Sequence, residues 1–435
     1  MKYYSTNKEA PTATLEEAVV KGLAPDKGLY MPENIHKLPT AFFDNIENMS
    51  FQEIAFEVAK AFFGDDVETS ALKDIVYNTL SFDVPAINIE DNIYSLELFH
   101  GPTLAFKDVG ARFMARLLQY FIKKEGQKSI TVLVATSGDT GSAVANGFLG
   151  VEGIHVDVLY PKGKVSKIQE SQFTTLGKNI TAIEINGVFD DCQTLVKQAF
   201  MDEELNENKK LTSANSINVA RFLPQAFYYF YAYAQLKKQN KADNMVVCVP
   251  SGNFGNICAG IFAHEMGLPI KRFIAANNAN DIFYKYLQSG KYEPKPSKQT
   301  LANAMDVGDP SNFARIYDLF GGCHEKITSL ISGATYTDDM IKDTMERNMI
   351  NEISTLFVMI FTSGLMFVMP ILDIGYNDIL VIIGFGILLS FMLTIIPILL
   401  SYDIRDEIIE LIGDMDSQIV VDTSVYKNEP TLGNY

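Results

Sequence analysis

Ile130-Thr-Val-Leu-Val-Ala135 runs directly into Thr136-Ser-Gly-Asp-Thr-Gly-Ser-Ala143. An apolar, β-branched run of six residues followed by a glycine- and hydroxyl-rich turn reads as a buried strand handing over to a helix. Glycine at such a junction lets the backbone approach a ligand, and the free N–H groups of the helix start point at an anion. The same construction recurs at Met245–Val249, followed by Pro250-Ser-Gly-Asn-Phe-Gly-Asn256. Neither junction is a Walker A loop, because no Gly-Lys-Ser/Thr follows, and neither is a Gly-x-Gly-x-x-Gly fingerprint. Taken singly, each is equally explained by a tight strand–helix turn. Together they point to two anion sites, such as a phosphate and a carboxylate.

Working outward, further short β-rich runs lie at His155–Tyr160, Ile180–Ile185 and Arg272–Ala276. Amphipathic stretches separate the runs. In Val109–Lys123, Phe113, Leu117 and Phe121 recur every fourth residue, which is one face of a helix. Strands alternating with helices imply an α/β protein whose parallel sheets are covered on both faces. A break at Pro85 separates an N-terminal lobe, 1–85, from the body that carries the junctions, 86–347. Lys291–Lys298, with Pro294 and Pro296, reads as a surface loop.

Composition narrows the function. The 435 residues allow two or three domains, and a net charge of −17 argues against a nucleic-acid partner. The Met1 segment lacks the apolar core of a signal peptide, so a cytoplasmic location is expected. Cys192, Cys248, Cys258 and Cys323 form no CxxC pair, and the five histidines show no metal-ligand spacing. No metal is expected.

Beyond Arg347 the chain changes character. Residues 351–435 hold eleven carboxylates against only Arg405 and Lys427. They contain two uncharged runs, Leu356–Leu372 and Ile379–Leu400, joined by a polar turn at 373–378. Since a bilayer core takes about 20 apolar residues per helix, 348–435 reads as a segment built on an apolar helical hairpin with candidate spans 356–372 and 379–400. Membrane association through 356–400 would leave both flanks in the cytoplasm, where Lys342, Arg347 and Arg405 lie. A pair of core helices in a water-exposed domain is the other reading.

A third polar segment is Glu97-Leu-Phe-His-Gly-Pro-Thr-Leu-Ala-Phe-Lys-Asp108. Lys107 stands between Phe106 and the helix-capping Asp108. A lysine held among apolar groups is suited to Schiff-base chemistry, although a lysine at a helix start is more commonly a surface charge. What distinguishes Lys107 is its company. Leu96–Asp108, Ala135–Ser142 and Val249–Asn256 stand in the order and at about the spacing found in bacterial threonine synthases. Asn7–Pro32, Leu159–Ser166, Ser213–Asn218 with Arg221, and Asn303–Val307 also resemble segments of that family. The resemblance runs from Met1 to about residue 347.

The resemblance implies a fold type II pyridoxal-phosphate (PLP) enzyme with two parallel-type sheet domains, in which Lys107 carries the cofactor. Gly252, Asn253, Phe254, Gly255 and Asn256 match the loop that holds the cofactor phosphate. Ser137, Gly138, Asp139 and Thr140 match the loop beside the ring, where Asp139 faces the cofactor and the others take the substrate carboxylate. The implied substrate is O-phospho-L-homoserine, converted with water to L-threonine and phosphate. Lys162, Lys164, Ser166, Asn215, Ser216, Asn218 and Arg221 match segments that supply its phosphate site, while Lys162 and Lys164 read also as solvated charges. Past residue 347 the family's Asp/Glu-Pro-His and Gly-Thr-Ala-His-Pro segments do not occur. The expectation is therefore a threonine synthase-type lyase of uncertain activity, the alternative being an impaired PLP-binding chimera or a membrane-tethered variant.

Overall fold

The computed structural model describes residues 1–126, 129–343 and 418–422. Met1–Thr335 and the strand at 418–422 belong to one compact unit. Of the second unit, which begins at Tyr336, only 336–343 are described, with a helical turn over 338–343.

Three sheets organise the first unit. A small antiparallel sheet, in the order β2-β1-β3, is formed by β1 (Lys2–Ser5), β2 (Ala13–Thr14) and β3 (Tyr30–Pro32). The second sheet contains β4 (Ala86–Glu90), β5 (Ile93–Leu96), β10 (Met245–Pro250), β11 (Ile270–Asn277), β12 (Ile331–Thr335) and β13 (Gln418–Asp422). Its order is β12-β11-β10-β13-β5-β4, parallel except for the edge strand β4. The third is the all-parallel sheet β8-β7-β6-β9, from β6 (Ile130–Ala135), β7 (Ile154–Pro161), β8 (Ile180–Ile185) and β9 (Leu211–Ser213). Two parallel sheets with helical crossovers are the expected α/β, fold type II architecture.

Every residue of β6 is buried, which is what an uninterrupted apolar run in a sheet covered on both faces requires. The helix Lys107–Glu125 buries Phe113, Leu117 and Phe121 in the main core and ends at Gly126, whose φ of 65° suits a glycine stop. The helices before Pro85 follow the same logic. Ser50 and Glu53 cap Phe51–Phe63 reciprocally, and that helix buries Phe51, Ile54, Val58 and Phe62. The first residues form a sheet in which β1 pairs on one side with β2 and on the other with β3.

One stretch of 348–435 is described. Gln418–Asp422 forms β13, which pairs in parallel with both β10 and β5 at the middle of the six-stranded sheet. Ile419-Val-Val421 is a β-branched run, and a strand here satisfies the backbone edges that β10 and β5 would otherwise leave bare. The proposed spans 356–372 and 379–400 lie outside the described residues. Among the described residues no helix is long and apolar enough to cross a membrane.

Sheet order decides where a ligand can sit. In the four-stranded sheet the chain runs from β6 outward through β7 to β8, then returns to the far side of β6 as β9. In the larger sheet β11 and β12 lie on one side of β10, with β13 and β5 on the other. Open α/β sheets bind ligands beyond the carboxyl ends of strands at such reversals. The segments leaving β5, β6, β9 and β10 there are 97–107, 136–140, 214–218 and 251–256.

Candidate active site

Lys107 opens its helix, with Phe106 as the preceding residue in αR conformation. Its Nζ donates to Asp139 Oδ2 at 2.6 Å, both side chains being mostly buried, and lies 5.6 Å from the Phe106 ring centre. The sequence suggests apolar surroundings for this lysine; the fold adds a carboxylate from 32 residues away. Asp139 begins the helix Asp139–Phe148, and its other oxygen accepts the Thr140 N–H at 2.8 Å. Gly138 precedes it at φ 148°, a conformation that strains any side chain and so favours glycine; Gln169 Oε1, the movable end of its side chain, lies where a Cβ would go. Ser137 is exposed and Thr140 half-buried, so both hydroxyls are reachable.

Next to Lys107, Asp108 lies inside the first turn and is not the helix cap, since the helix already starts at Lys107. It is buried and accepts the Thr103 N–H at 2.9 Å and the Thr103 hydroxyl at 2.7 Å. Burial pushes its carboxyl above the usual range, opposed by the Thr103 hydrogen bonds and the Arg112 charge. These bonds close the 101–107 segment against its own helix start. Leu104 within it has a φ of 57°, an unusual conformation for a branched side chain. Such strain persists where surrounding contacts over-determine it.

The loop after β10 is built from its own polar groups. Asn256 Nδ2 donates to Pro250 O at 3.1 Å, and its Oδ1 accepts Ile257 N–H at 2.9 Å. Asn253 Oδ1 accepts Ser311 N–H at 2.6 Å, while its Nδ2 donates to Ser216 Oγ at 2.8 Å. Phe254, at φ 62°, buries its ring against Phe283. With these side chains engaged, the loop presents its backbone, and the helix Gly255–Glu265 starts there. Neither Gly252 nor Gly255 has a positive φ. Both are glycine for room: a Cβ on Gly252 would lie 2.7 Å from Ala304 O, and one on Gly255 3.2 Å from Ser216 Cβ.

The remaining expected residues divide. Asn215, Ser216 and Arg221 follow β9 toward the same region. Arg221 is buried, donates to Ala214 O at 2.6 Å, and is drawn down to about 10 by burial, against the pull of Asp108 and Asp139. Its Nε and Asn215 Oδ1 are buried polar atoms without a hydrogen-bond partner. Asn218 has a different task. Fully buried, it donates to Val19 O at 2.8 Å and Ser213 O at 3.1 Å, and accepts Ala220 N–H at 3.0 Å as a helix cap. Ser166 likewise caps the helix Lys167–Thr174. Lys162 pairs with Glu184 at 3.4 Å on the surface, and Lys164 is exposed. Sequence reading missed Asn312, which donates to Asn253 O at 2.9 Å, and Arg315 behind it. Gly308-Asp-Pro-Ser-Asn312 is a turn-rich stretch, but nothing local ties it to a loop 59 residues earlier. Among the described residues no acidic, histidine or cysteine group could hold a metal.

These residues fit PLP. A lysine at a helix start, a backbone-lined loop with no room for a Cβ at Gly252, and unsatisfied buried donor and acceptor atoms nearby are what an aldehyde-bearing phosphate ester calls for.

Comparison with known proteins agrees. Residues 2–80 match the family model of the threonine synthase N terminus, and 74–349 that of pyridoxal-phosphate dependent enzymes. Threonine synthase of Haemophilus influenzae is 47% identical over 346 residues, covering 80% of each chain. Threonine synthase of Escherichia coli (strain K12) is 44% identical over 347 residues, covering 79% of each. The crystal structure of the Escherichia coli threonine synthase superposes with a TM-score of 0.73, at 42% identity, over 82% of this chain and 81% of that one. The PLP-bound threonine synthase of Brucella melitensis gives 0.76 at 30% identity, over 97% and 88%.

Proposed function

The chain belongs to the threonine synthase family of PLP-dependent enzymes, and on that premise we propose that it converts O-phospho-L-homoserine and water to L-threonine and phosphate. The observation that carries the reading is Lys107 Nζ, held 2.6 Å from Asp139 where the segments after β5 and β6 meet. Its cofactor is PLP, which when bound supplies an electron sink that makes the substrate's Cα and Cβ protons removable.

The residues then divide the work. Lys107 would hold the cofactor, and its amine would move protons at the substrate's Cα and Cβ. Asp139 fixes where the Lys107 amine points. The backbone of 252–256, at the start of the Gly255–Glu265 helix, takes the cofactor phosphate. Ser137, Gly138 and Thr140, at the start of the Asp139–Phe148 helix, take the substrate carboxylate. Asn215, Ser216 and Arg221 remain as contacts for the departing phosphate. Asn218 and Ser166 support the loops without touching ligand, and Lys162 and Lys164 stay in solvent. An impaired chimera or a membrane-tethered variant draws no support from the identities, and the proposal is of a working lyase.

Two measurements test this. Borohydride reduction of the PLP-loaded protein followed by peptide mapping should place the label on Lys107, and Lys107→Ala should lose it. Addition of O-phospho-L-homoserine should release phosphate and threonine in equal amounts. A label on another lysine would overturn the assignment of Lys107, and phosphate release without threonine would overturn the reaction.

A further inference from the structure

Arg315 is fully buried, and no carboxylate among the described residues pairs with it. Burial draws its guanidinium down to about 10. A buried cation with no counter-charge is costly, so its arrangement carries information. Its donors go to Tyr30 O at 3.2 and 3.1 Å, to Ile217 O and to Asn312 Oδ1, and its face lies 4.1 Å from the Phe222 ring centre.

A guanidinium can only donate. Asn312 must therefore present its oxygen to Arg315, which turns its Nδ2 the other way, to Asn253 O at 2.9 Å and Ser216 Oγ at 3.4 Å. Asn253 is fixed by the same reasoning. The Ser311 N–H donates to its Oδ1 at 2.6 Å, so its Nδ2 donates to Ser216 Oγ at 2.8 Å. Ser216 Oγ thus accepts two N–H groups. With both lone pairs engaged, its remaining capacity is to donate its own proton. Ser216 is half-buried beside Gly255, where the Gly255–Glu265 helix starts.

We propose that Arg315 is a positioning residue which, through Asn312, fixes Ser216 as an outward-facing donor to a phosphate oxygen at that helix start. The inference rests on the reading of Ser216 as a ligand contact, and adds the direction of its hydrogen bond and what enforces it. The oxygen belongs either to the cofactor phosphate or to a second phosphate group beside it, and the test separates the two.

Asn312→Asp keeps the shape and the Arg315 contact but removes the donor to Ser216. It is compared with Ser216→Ala, with their double variant, and with Arg315→Lys alone and in the Ser216→Ala background. Two constants are measured on each: PLP affinity of the apo-protein by absorbance, and inorganic phosphate binding to the PLP-loaded protein by calorimetry. A hydrogen bond to a charged oxygen corresponds to roughly a tenfold loss or more. Ser216→Ala and Asn312→Asp should each weaken one constant about tenfold, and the double variant should match Ser216→Ala within about twofold. A fall in PLP affinity assigns the oxygen to the cofactor; a fall in phosphate binding assigns it to the second group. Arg315→Lys should weaken the same constant, and not in the Ser216→Ala background, which keeps the test open even if Asn312→Asp misfolds. Added negative charge acting merely by repulsion would lower binding with or without Ser216, and that additivity would overturn the relay. A loss in Ser216→Ala alone would also overturn it. Unchanged constants in Ser216→Ala would instead reject Ser216 as a ligand contact.

Discussion

Gly252→Ala places one methyl group against a backbone that has little freedom to move. A Cβ there lies 2.7 Å from Ala304 O, whereas carbon and oxygen atoms pack best at about 3.5 Å. The two must part by about 0.8 Å. The Ala304 side is braced: Asn278 Nδ2 donates to Thr300 Oγ1 and Asp306 Oδ1, both at 2.8 Å, and to Ala302 O at 3.3 Å. Asn280 Nδ2 donates to Asp306 Oδ1 at 3.1 Å, and Thr300 N–H to Asp306 Oδ2 at 2.9 Å. The half-exposed loop containing Gly252 gives way first, and that loop is the one assigned to the cofactor phosphate. Overpacking of this kind costs about 1–3 kcal/mol. If about 1.4 kcal/mol of it falls on the bound loop, PLP affinity drops about tenfold. Gly255→Ala, whose nearest atom is Ser216 Cβ at 3.2 Å, should lose less. PLP titration by absorbance, with thermal melting of the apo-protein as the stability control, measures both. Asn278→Ala should soften the brace and shrink the Gly252→Ala effect in a double-mutant cycle. Wild-type PLP affinity in a well-folded Gly252→Ala protein would refute the reasoning, as would a Gly255→Ala effect larger than that of Gly252→Ala.

Three further outcomes are expected. Asn218→Ala should lower stability by about 2–3 kcal/mol, from a lost cap and two unpaired carbonyls, leaving a folded fraction with unchanged inorganic phosphate affinity; denaturant melts and calorimetry check this. Asp108 has a raised pKa in the fold, so the protonated carboxyl favours folding, and that contribution is full below its ordinary 3.8 and lost as pH rises through the raised value. Asp108→Asn, which removes the titration, should therefore flatten the loss of stability on going upward from about pH 4, read from thermal melts across pH. Cys258 is pushed up to about 12 and Cys192 is also raised, both by burial, so a thiol reagent at pH 8 should leave these two unmodified in the native protein, with mass mapping finding adducts only at Cys248 and Cys323.

The amino-acid order by itself determined what is local. Ile130–Ala135 and Ile180–Ile185 are strands residue for residue: the first because a continuous apolar run suits a sheet covered on both faces, the second because β-branched Ile180, Thr181, Ile183 and Ile185 favour an extended edge strand of which only Ile180 is buried. The four-residue spacing of Phe113, Leu117 and Phe121 fixed a helix, and the glycine-rich junctions marked where strands hand over to helices. The proposal for Lys107 came from the run of motifs around it. What the sequence could not carry is any relation set by the order of strands. Asp139 meets Lys107 because β5 and β6 end on the same side of the site, and Ala304 backs Gly252 because a loop after β11 folds over the end of β10. β13 occupies the middle of a sheet whose other strands all lie before residue 336. The fate of polar side chains was decided there too. Asn218 and Ser216 stand two residues apart in one motif, yet the fold spends all of Asn218 on backbone groups and leaves Ser216 one proton to give. Hydrogen-bonding capacity is a property of the residue type, but which partners consume it is fixed only when distant segments are brought within about 3 Å.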